Sequence, residues 1–486
     1  MKSLRIITAI FATLLLLGGL PFIVMTQFLY PLGVHEWDWL GNFPVMTSEL
    51  NYMEAQWFWY QKTGGRYTST AILSSLPYWY TLTTFRSVVL IFLLLIPICL
   101  IYVFVKITRP LPGFFIGGSC WLLFLDQITN TYDSLLRFTC MPIYHLGFAL
   151  SFLLAAGWWR VITTDFKGRK SYFLLAGLTF LAIGTNEMTM MHLLVLISGI
   201  SLFCYRKYGQ VPAGVCMVLL VTFLSSCLTL AAPGNYARME LYPAGKSFLY
   251  AGGLSLGVSM FLIIEWLTNS MLIPVCISLL AIQRVFFKDQ HFMIFTKPWL
   301  WLVSVGLIPL SLFPLMYGTG GTSLPERIVD LLFLIFCISI IGWGLSLSQS
   351  FFSKNKKRLP LAISPVFGIV MAVFVVLNFF CGGLSLDRNP DKRNGTYLDL
   401  VKVEANIGAA YLQLFQGVPQ QYTKEMQNIE QELRICQADI CEVNPLSVPT
   451  FMGYDPLYDR MWNKGETGMN YYWSLHPGTR VVYKKQ

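Results

Sequence analysis

The sequence predicts an all-α polytopic membrane protein of about eleven transmembrane helices, followed by a small extracytoplasmic C-terminal domain. Three observations predict it: the composition, the length of the apolar runs and the placement of the positive charges. Of 486 residues, 55% are hydrophobic and 12% are charged. A soluble domain carries roughly 25% charged residues, so a water-soluble fold of this size could not cover itself with so few.

About 20 apolar residues at a rise of about 1.5 Å cross the hydrocarbon core. That measure predicts spans at 5–29, 86–106, 111–127, 138–159, 171–185, 188–205, 211–231, 267–284, 299–317, 328–349 and 361–380. The first begins after Lys2 and Arg5. Its apolar run, 6–30, is longer than the core of a signal peptide and has no small-x-small cleavage pattern, so it reads as an uncleaved span.

The net charge of +10 is not spread evenly. The tail from Cys381 onward holds 11 basic and 12 acidic residues, so the excess lies among the hydrophobic segments. There it falls on alternate loops: Lys106 and Arg109; Arg160, Lys167, Arg169 and Lys170; Arg206 and Lys207; Arg284, Lys288 and Lys297; and Lys354, Lys356, Lys357 and Arg358. Alternation of this kind marks cytoplasmic loops and places the N-terminus in the cytoplasm. It argues for a lipid bilayer, and against nucleic acid, as the basic chain's partner. Eleven crossings then put the C-terminus outside. The division is a transmembrane domain over 1–380, with a first outside loop at 31–85, and an extracytoplasmic domain over 381–486.

Residues 247–284 hold apolar sequence for two helices, while the flanking charges permit an odd number of crossings. The Gly- and Ser-rich stretch 248–264 is therefore expected to be re-entrant or interfacial, which irregular backbone at membrane depth allows where it is covered by protein. The aromatics of the first outside loop suit an interfacial belt. In the tail, 397–415 and 422–437 have helical periodicity. A Cys436–Cys441 bridge stays open: an oxidising compartment favours it, and strain within one helix would oppose it. The remaining cysteines sit mostly in apolar segments as buried thiols.

Polar residues gather in the outside loops: Glu36 and Asp38, Arg66, Asp126, Asp133 and Arg137, Asn186 and Glu187, Asn235 and Arg238, and Glu326 and Arg327. Ionisable groups near membrane depth are costly and tend to be functional. Arginines at the border can hold a lipid phosphate through paired donors, and a carboxylate can take a proton from an attacking hydroxyl. Each residue also has a structural reading: solvated loop carboxylates for Glu36 and Asp38, headgroup anchoring for the arginines, helix capping for Glu187. No P-loop and no H-E-x-x-H are present, which argues against ATP-driven work and zincin chemistry. His145 and His192 lack a second ligand at metal spacing.

In order along the chain stand HEWDW (35–39), GGRY (64–67), GTNE (184–187), APGNYAR (232–238), LPER (324–327) and a terminal WN…YYW (462–473). Taken together, and led by APGN-x-x-R, these motifs resemble a bacterial family of multi-spanning proteins related to the Gtr-type O-antigen glucosyltransferases, which is similar to the GT-C glycosyltransferases. The resemblance implies a GT-C-like fold in the bacterial inner membrane, with a periplasmic C-terminus. It implies a polyprenyl-phosphate-linked sugar as donor and a glycan, lipid or protein acceptor. It further implies one inverting displacement, with Asp38 as general base and Glu36 as its alternate or as a sugar-hydroxyl acceptor. Relatives often carry adjacent acids, whereas Trp37 separates these two. Arg238 and Arg327 would hold the donor phosphate, with Arg66 third, and Asn186, Glu187, Asn235 and Glu326 would complete the substrate site. No cofactor is expected, and a divalent metal stays open. The alternatives are a secondary transporter or a lipid or glycan flippase, for which Glu265 is the main intramembrane acid, and an O-antigen polymerase or ligase.

Overall fold

The computed structural model describes residues 2–30, 51–62, 64–166, 169–240, 247–287, 297–321, 324–354, 365–381, 406–444, 446–447 and 480–483. Among them, eight helical segments are long and apolar enough to cross a membrane, and three apolar helices are shorter.

The chain enters through α1 (Lys2–Thr26), then forms two short helices, α2 (Tyr52–Lys62) and α3 (Tyr67–Trp79). The long helix α4 (Leu82–Ile107) starts four residues earlier than expected, because Thr81 and Thr84 cap it reciprocally. Next comes α5 (Pro110–Gln127), which is buried along almost its whole length. Being covered by protein, it can carry glycines and the Asp126–Gln127 pair that a lipid-facing helix would not tolerate.

Residues 128–145, part of which is expected as an outside loop, are instead wound into π and 3-10 turns at Tyr132–Leu136, Phe138–Cys140 and Met141–His145, most of them buried. These lead into α6 (Leu146–Thr163). Then follow α7 (Arg169–Ile183), α8 (Glu187–Tyr208), α9 (Ala213–Leu230) and the short α10 (Pro233–Glu240). On α9, Thr222, Ser225, Ser226 and Thr229 are buried at helical spacing. Small hydroxyl residues of this kind let helices approach closely where no hydrophobic effect drives them together.

The stretch expected to be re-entrant is a continuous helix, α11 (Phe248–Asn269), 22 residues long. Glycine and serine do not break it, because Ser255 and Ser259 turn their hydroxyls back onto the carbonyls of Ala251 and Ser255. A two-residue break separates it from α12 (Leu272–Phe287). Further on lie α13 (Pro298–Val305), α14 (Leu307–Thr319), α15 (Glu326–Lys354) and α16 (Pro365–Cys381). Phe248 meets Phe313 of α14, and Trp266 packs on Phe333 and Phe336 of α15. Phe287, at the end of α12, lies with Pro112 and Leu345 around one small apolar cavity at the opposite end of the bundle.

The tail forms α17 (Asn406–Phe415), α18 (Val418–Ile435) and a strand, β1 (Ile440–Val443), paired in parallel with β2 (Arg480–Tyr483). Cys436 and Cys441 are bridged. Helix α18 ends at Ile435, so the two cysteines sit across a helix-to-strand turn and the strain expected of a pair within one helix does not arise. The tail is fastened to α1. Pro21 cannot donate to the carbonyl of Leu17, and the Tyr411 hydroxyl donates to it instead, at 2.7 Å. Ile407 is fully buried beside Gly18.

Candidate functional site

Three of the outside motifs meet physically at one end of the bundle. Gly184, first residue of the α7–α8 turn, receives the ring of Tyr67 and the hydroxyl of Thr68 so closely that a Cβ there would lie 2.2 Å and 2.4 Å from them. The Thr68 amide donates to the Gly184 carbonyl at 2.9 Å, and the Ser69 hydroxyl reaches the Thr185 carbonyl, also at 2.9 Å. Gly65 lies against the backbone of Thr229, where a Cβ would fall 2.1 Å from the carbonyl oxygen. From α10 the Asn235 amide donates to that same carbonyl at 2.7 Å. GGRY, GTNE and APGN are therefore one packed junction.

Two charged groups follow from it. Asn186 caps α8 by accepting from the Thr189 amide at 2.8 Å, and its own amide group donates to the Ile143 carbonyl. This aims Glu187, the first helical residue, at Arg66: the Arg66 Nη2 lies 2.9 Å from Oε2, with Nε 3.1 Å from the same oxygen. Burial opposes the Arg66 charge, but Glu187 outweighs it and raises the guanidinium's pKa further, while the positive charge of Arg327 acts the other way.

Arg327 belongs to the second group. Glu326, Arg327 and Asp330 lie within the first turns of α15, at spacings of three and four that put them on one flank. Asp330 is buried and gathers the preceding segment: it accepts from the Thr129 amide at 2.8 Å, the Thr129 hydroxyl at 2.9 Å and the Ser134 hydroxyl at 2.5 Å. Glu326 accepts from the Asn130 side chain at 2.5 Å. The π turn so held presents Asp133 between two arginines, with Arg327 Nη1 at 2.7 Å and Arg137 Nη1 at 2.8 Å. Burial would raise the Asp133 pKa, yet the two guanidiniums overcome it and hold the carboxyl below its usual value. Tyr144 joins the groups, since Arg327 lies 5.6 Å from its ring centroid and Arg66 lies within its electrostatic reach.

Among the expected site residues, Arg66, Glu187, Glu326 and Arg327 are therefore drawn to one end of the bundle. Asn186 and Asn235 are there too, with their amides spent on backbone carbonyls. Glu36 and Asp38 lie outside the described residues, as does the side chain of Arg238. Asp133 and Arg137, read in the sequence as members of a loop, are central to the cluster. Asp330 and Tyr144 were not singled out. A lone carboxylate four residues after Glu326 in an apolar helix was a signal for Asp330; nothing in the sequence marks Tyr144.

Glu265, the intramembrane acid of the transport reading, accepts a hydrogen bond from Asn269 at 2.5 Å on its own helix. A G-x-S-x-G string exists at 253–257, but it lies in mid-helix with the Ser255 hydroxyl bonded to the Ala251 carbonyl. It has none of the strand-to-helix geometry of a serine nucleophile. Among the described residues, no group of three or more histidine, cysteine or acidic side chains could hold a metal ion.

The fold and this cluster define a class: an all-helical, multi-pass membrane protein with a partly buried arginine–carboxylate network at one end. No protein-family model matches the chain, and no curated protein matches it.

Proposed function

We propose that the arginine cluster binds the phosphate of a polyprenyl-phosphate-linked sugar and that the protein transfers this sugar to an acceptor on the outer face of the bacterial inner membrane. The observation that supports the reading is that Arg66 and Arg327, from opposite halves of the chain, lie close enough to act on each other electrostatically and share Tyr144 as a neighbour. Each guanidinium is held by a carboxylate through part of its donor set, and the buried Arg327 Nε has no partner among the described residues, so a phosphate oxygen would take donors that remain.

In the reaction, the acceptor hydroxyl oxygen bonds to the anomeric carbon with inversion as the bond from that carbon to the phosphate oxygen breaks. The electron pair stays on the phosphate, and the arginines offset the charge that develops there. The hydroxyl proton passes to the carboxylate of Asp38, with Glu36 as its alternate. Glu187 and Asp133 hold Arg66 and Arg327 in place, so neither guanidinium has to reorganise during the step. Glu326 and Arg137 brace the same turn. Arg238, of the APGN-x-x-R motif, is a further proposed ligand of the phosphate.

The test is to incubate purified protein in detergent with a panel of polyprenyl-phosphate hexoses and to follow donor binding and the release of polyprenyl phosphate. Binding is expected for wild type, at least tenfold weaker binding for Arg66→Lys and Arg327→Lys, and binding without turnover for the Asp38→Asn/Glu36→Gln double variant. Failure of wild type to bind any donor would remove the proposal, and full turnover by the double variant would remove its mechanism.

A further inference from the structure

We infer that the C-terminal helix α17 is a working part of the arginine cluster, with Asn406 as a positioning residue that sets where Asp133 stands. Asn406 is fully buried, and its side-chain amide donates to two carbonyls, that of Asp126 at 3.0 Å and that of Ile128 at 2.6 Å. These carbonyls close α5. The last carbonyls of a helix lack partners within it, and the tail supplies them from nearly 280 residues away.

The next residue begins the cluster's support. Thr129 is fixed to Asp330 through both its amide and its hydroxyl, Asn130 caps the turn by accepting from the Asp133 amide at 2.9 Å, and Asp133 holds Arg327 and Arg137. The path from Asn406 to Arg327 thus runs through buried or half-buried hydrogen bonds, the 128–130 backbone and one ion pair. Freeing the Ile128 carbonyl lets the 128–136 segment shift, and Asp133 with it. The tail also touches the end of α1, where the Thr423 hydroxyl donates to the Phe28 carbonyl.

Tyr411 provides the control. It fastens the same helix to α1 at Leu17, a contact outside the chain of contacts above, so its loss loosens docking without removing any of them. The binding half of the inference rests on the proposed phosphate site; the structural half does not.

The experiment uses the full chain in detergent and compares Asn406→Ala with Tyr411→Phe. Hydrogen–deuterium exchange over 128–136 reads the structural half without any ligand: at least tenfold faster exchange is expected in Asn406→Ala and wild-type exchange in Tyr411→Phe. Affinity for a ten-carbon prenyl phosphate reads the other half, with at least tenfold weakening expected in Asn406→Ala alone. If Asn406→Ala does not fold, Asn406→Ser, which keeps one donor of two, is expected to show at least a threefold change in both. Unchanged exchange in the Asn406 variant, or equal acceleration in both variants, overturns the inference, as does unchanged affinity beside accelerated exchange. If wild type binds no prenyl phosphate while the exchange pattern holds, the phosphate reading fails and the positioning role of Asn406 stands.

Discussion

The two ends of the helical bundle treat charge in opposite ways. At the end formed by the α5–α6 and α7–α8 junctions, Asp133, Glu187 and Arg137 have side chains only 13%, 18% and 19% exposed, each tied to a partner from another turn or helix. At the other end Lys106, Arg109, Arg160 and Arg206 are exposed, and the ion pair of Lys207 with Asp165 joins side chains that are 45% and 68% exposed. Charges that orient a chain in a membrane work from water and need no partner. Charges brought into protein must be paired and hydrogen-bonded, so each depends on the exact position of several others.

That contrast is easiest to break at Asp133. Asp133→Ala leaves two guanidiniums facing each other half-buried and is expected to cost about 3 kcal/mol, the lower part of the range for breaking a buried pair. Thermal unfolding in detergent measures it. Because the carboxyl is held below its ordinary value of 3.8, its contribution is complete above about pH 4 and is lost as pH falls through the lower folded value. Asp133→Asn is therefore expected to be destabilised at neutral pH and to lose part of the wild-type acid sensitivity below pH 4.

The packed junction gives the next effect. Gly184→Ala places a methyl group in the Tyr67 ring and is expected to cost about 1–3 kcal/mol, the usual penalty of overpacking. Asn186→Ala removes the cap of α8 and is expected to cost about 1 kcal/mol, with Asn186→Asp recovering part of it. At the opposite end Lys207→Ala is expected to leave the melting temperature unchanged, since exposed pairs in water contribute little. A Lys207 effect as large as that of Asp133 would erase the distinction between the ends.

Much of the fold was legible because the membrane imposes simple rules. Apolar length gave helices at every expected span, but the irregular backbone expected at 248–264 was a misreading, since the stretch is a regular helix. The misreading came from treating glycine and serine as breakers; in a membrane helix serine satisfies itself by bonding back along the chain. The polar end was legible as a list of residues and not as an arrangement. Arg66 and Glu187 are 121 positions apart, and Arg327 and Asp133 are 194 apart. No local pattern states such pairings. The turn carrying Asp133 was read as loop because its π and 3-10 winding has no hydrophobic period to detect.

The contact between Tyr411 and the Leu17 carbonyl has a consequence for biogenesis. A ribosome delivers Leu17 to the membrane 394 residues before it makes Tyr411. Until then the first helix carries an open acceptor in hydrocarbon, where such a group costs several kcal/mol. Insertion of α1 and maturation of α1 are therefore separate events, and a chain interrupted before α17 would hold a hydrophilic defect that membrane quality control could recognise.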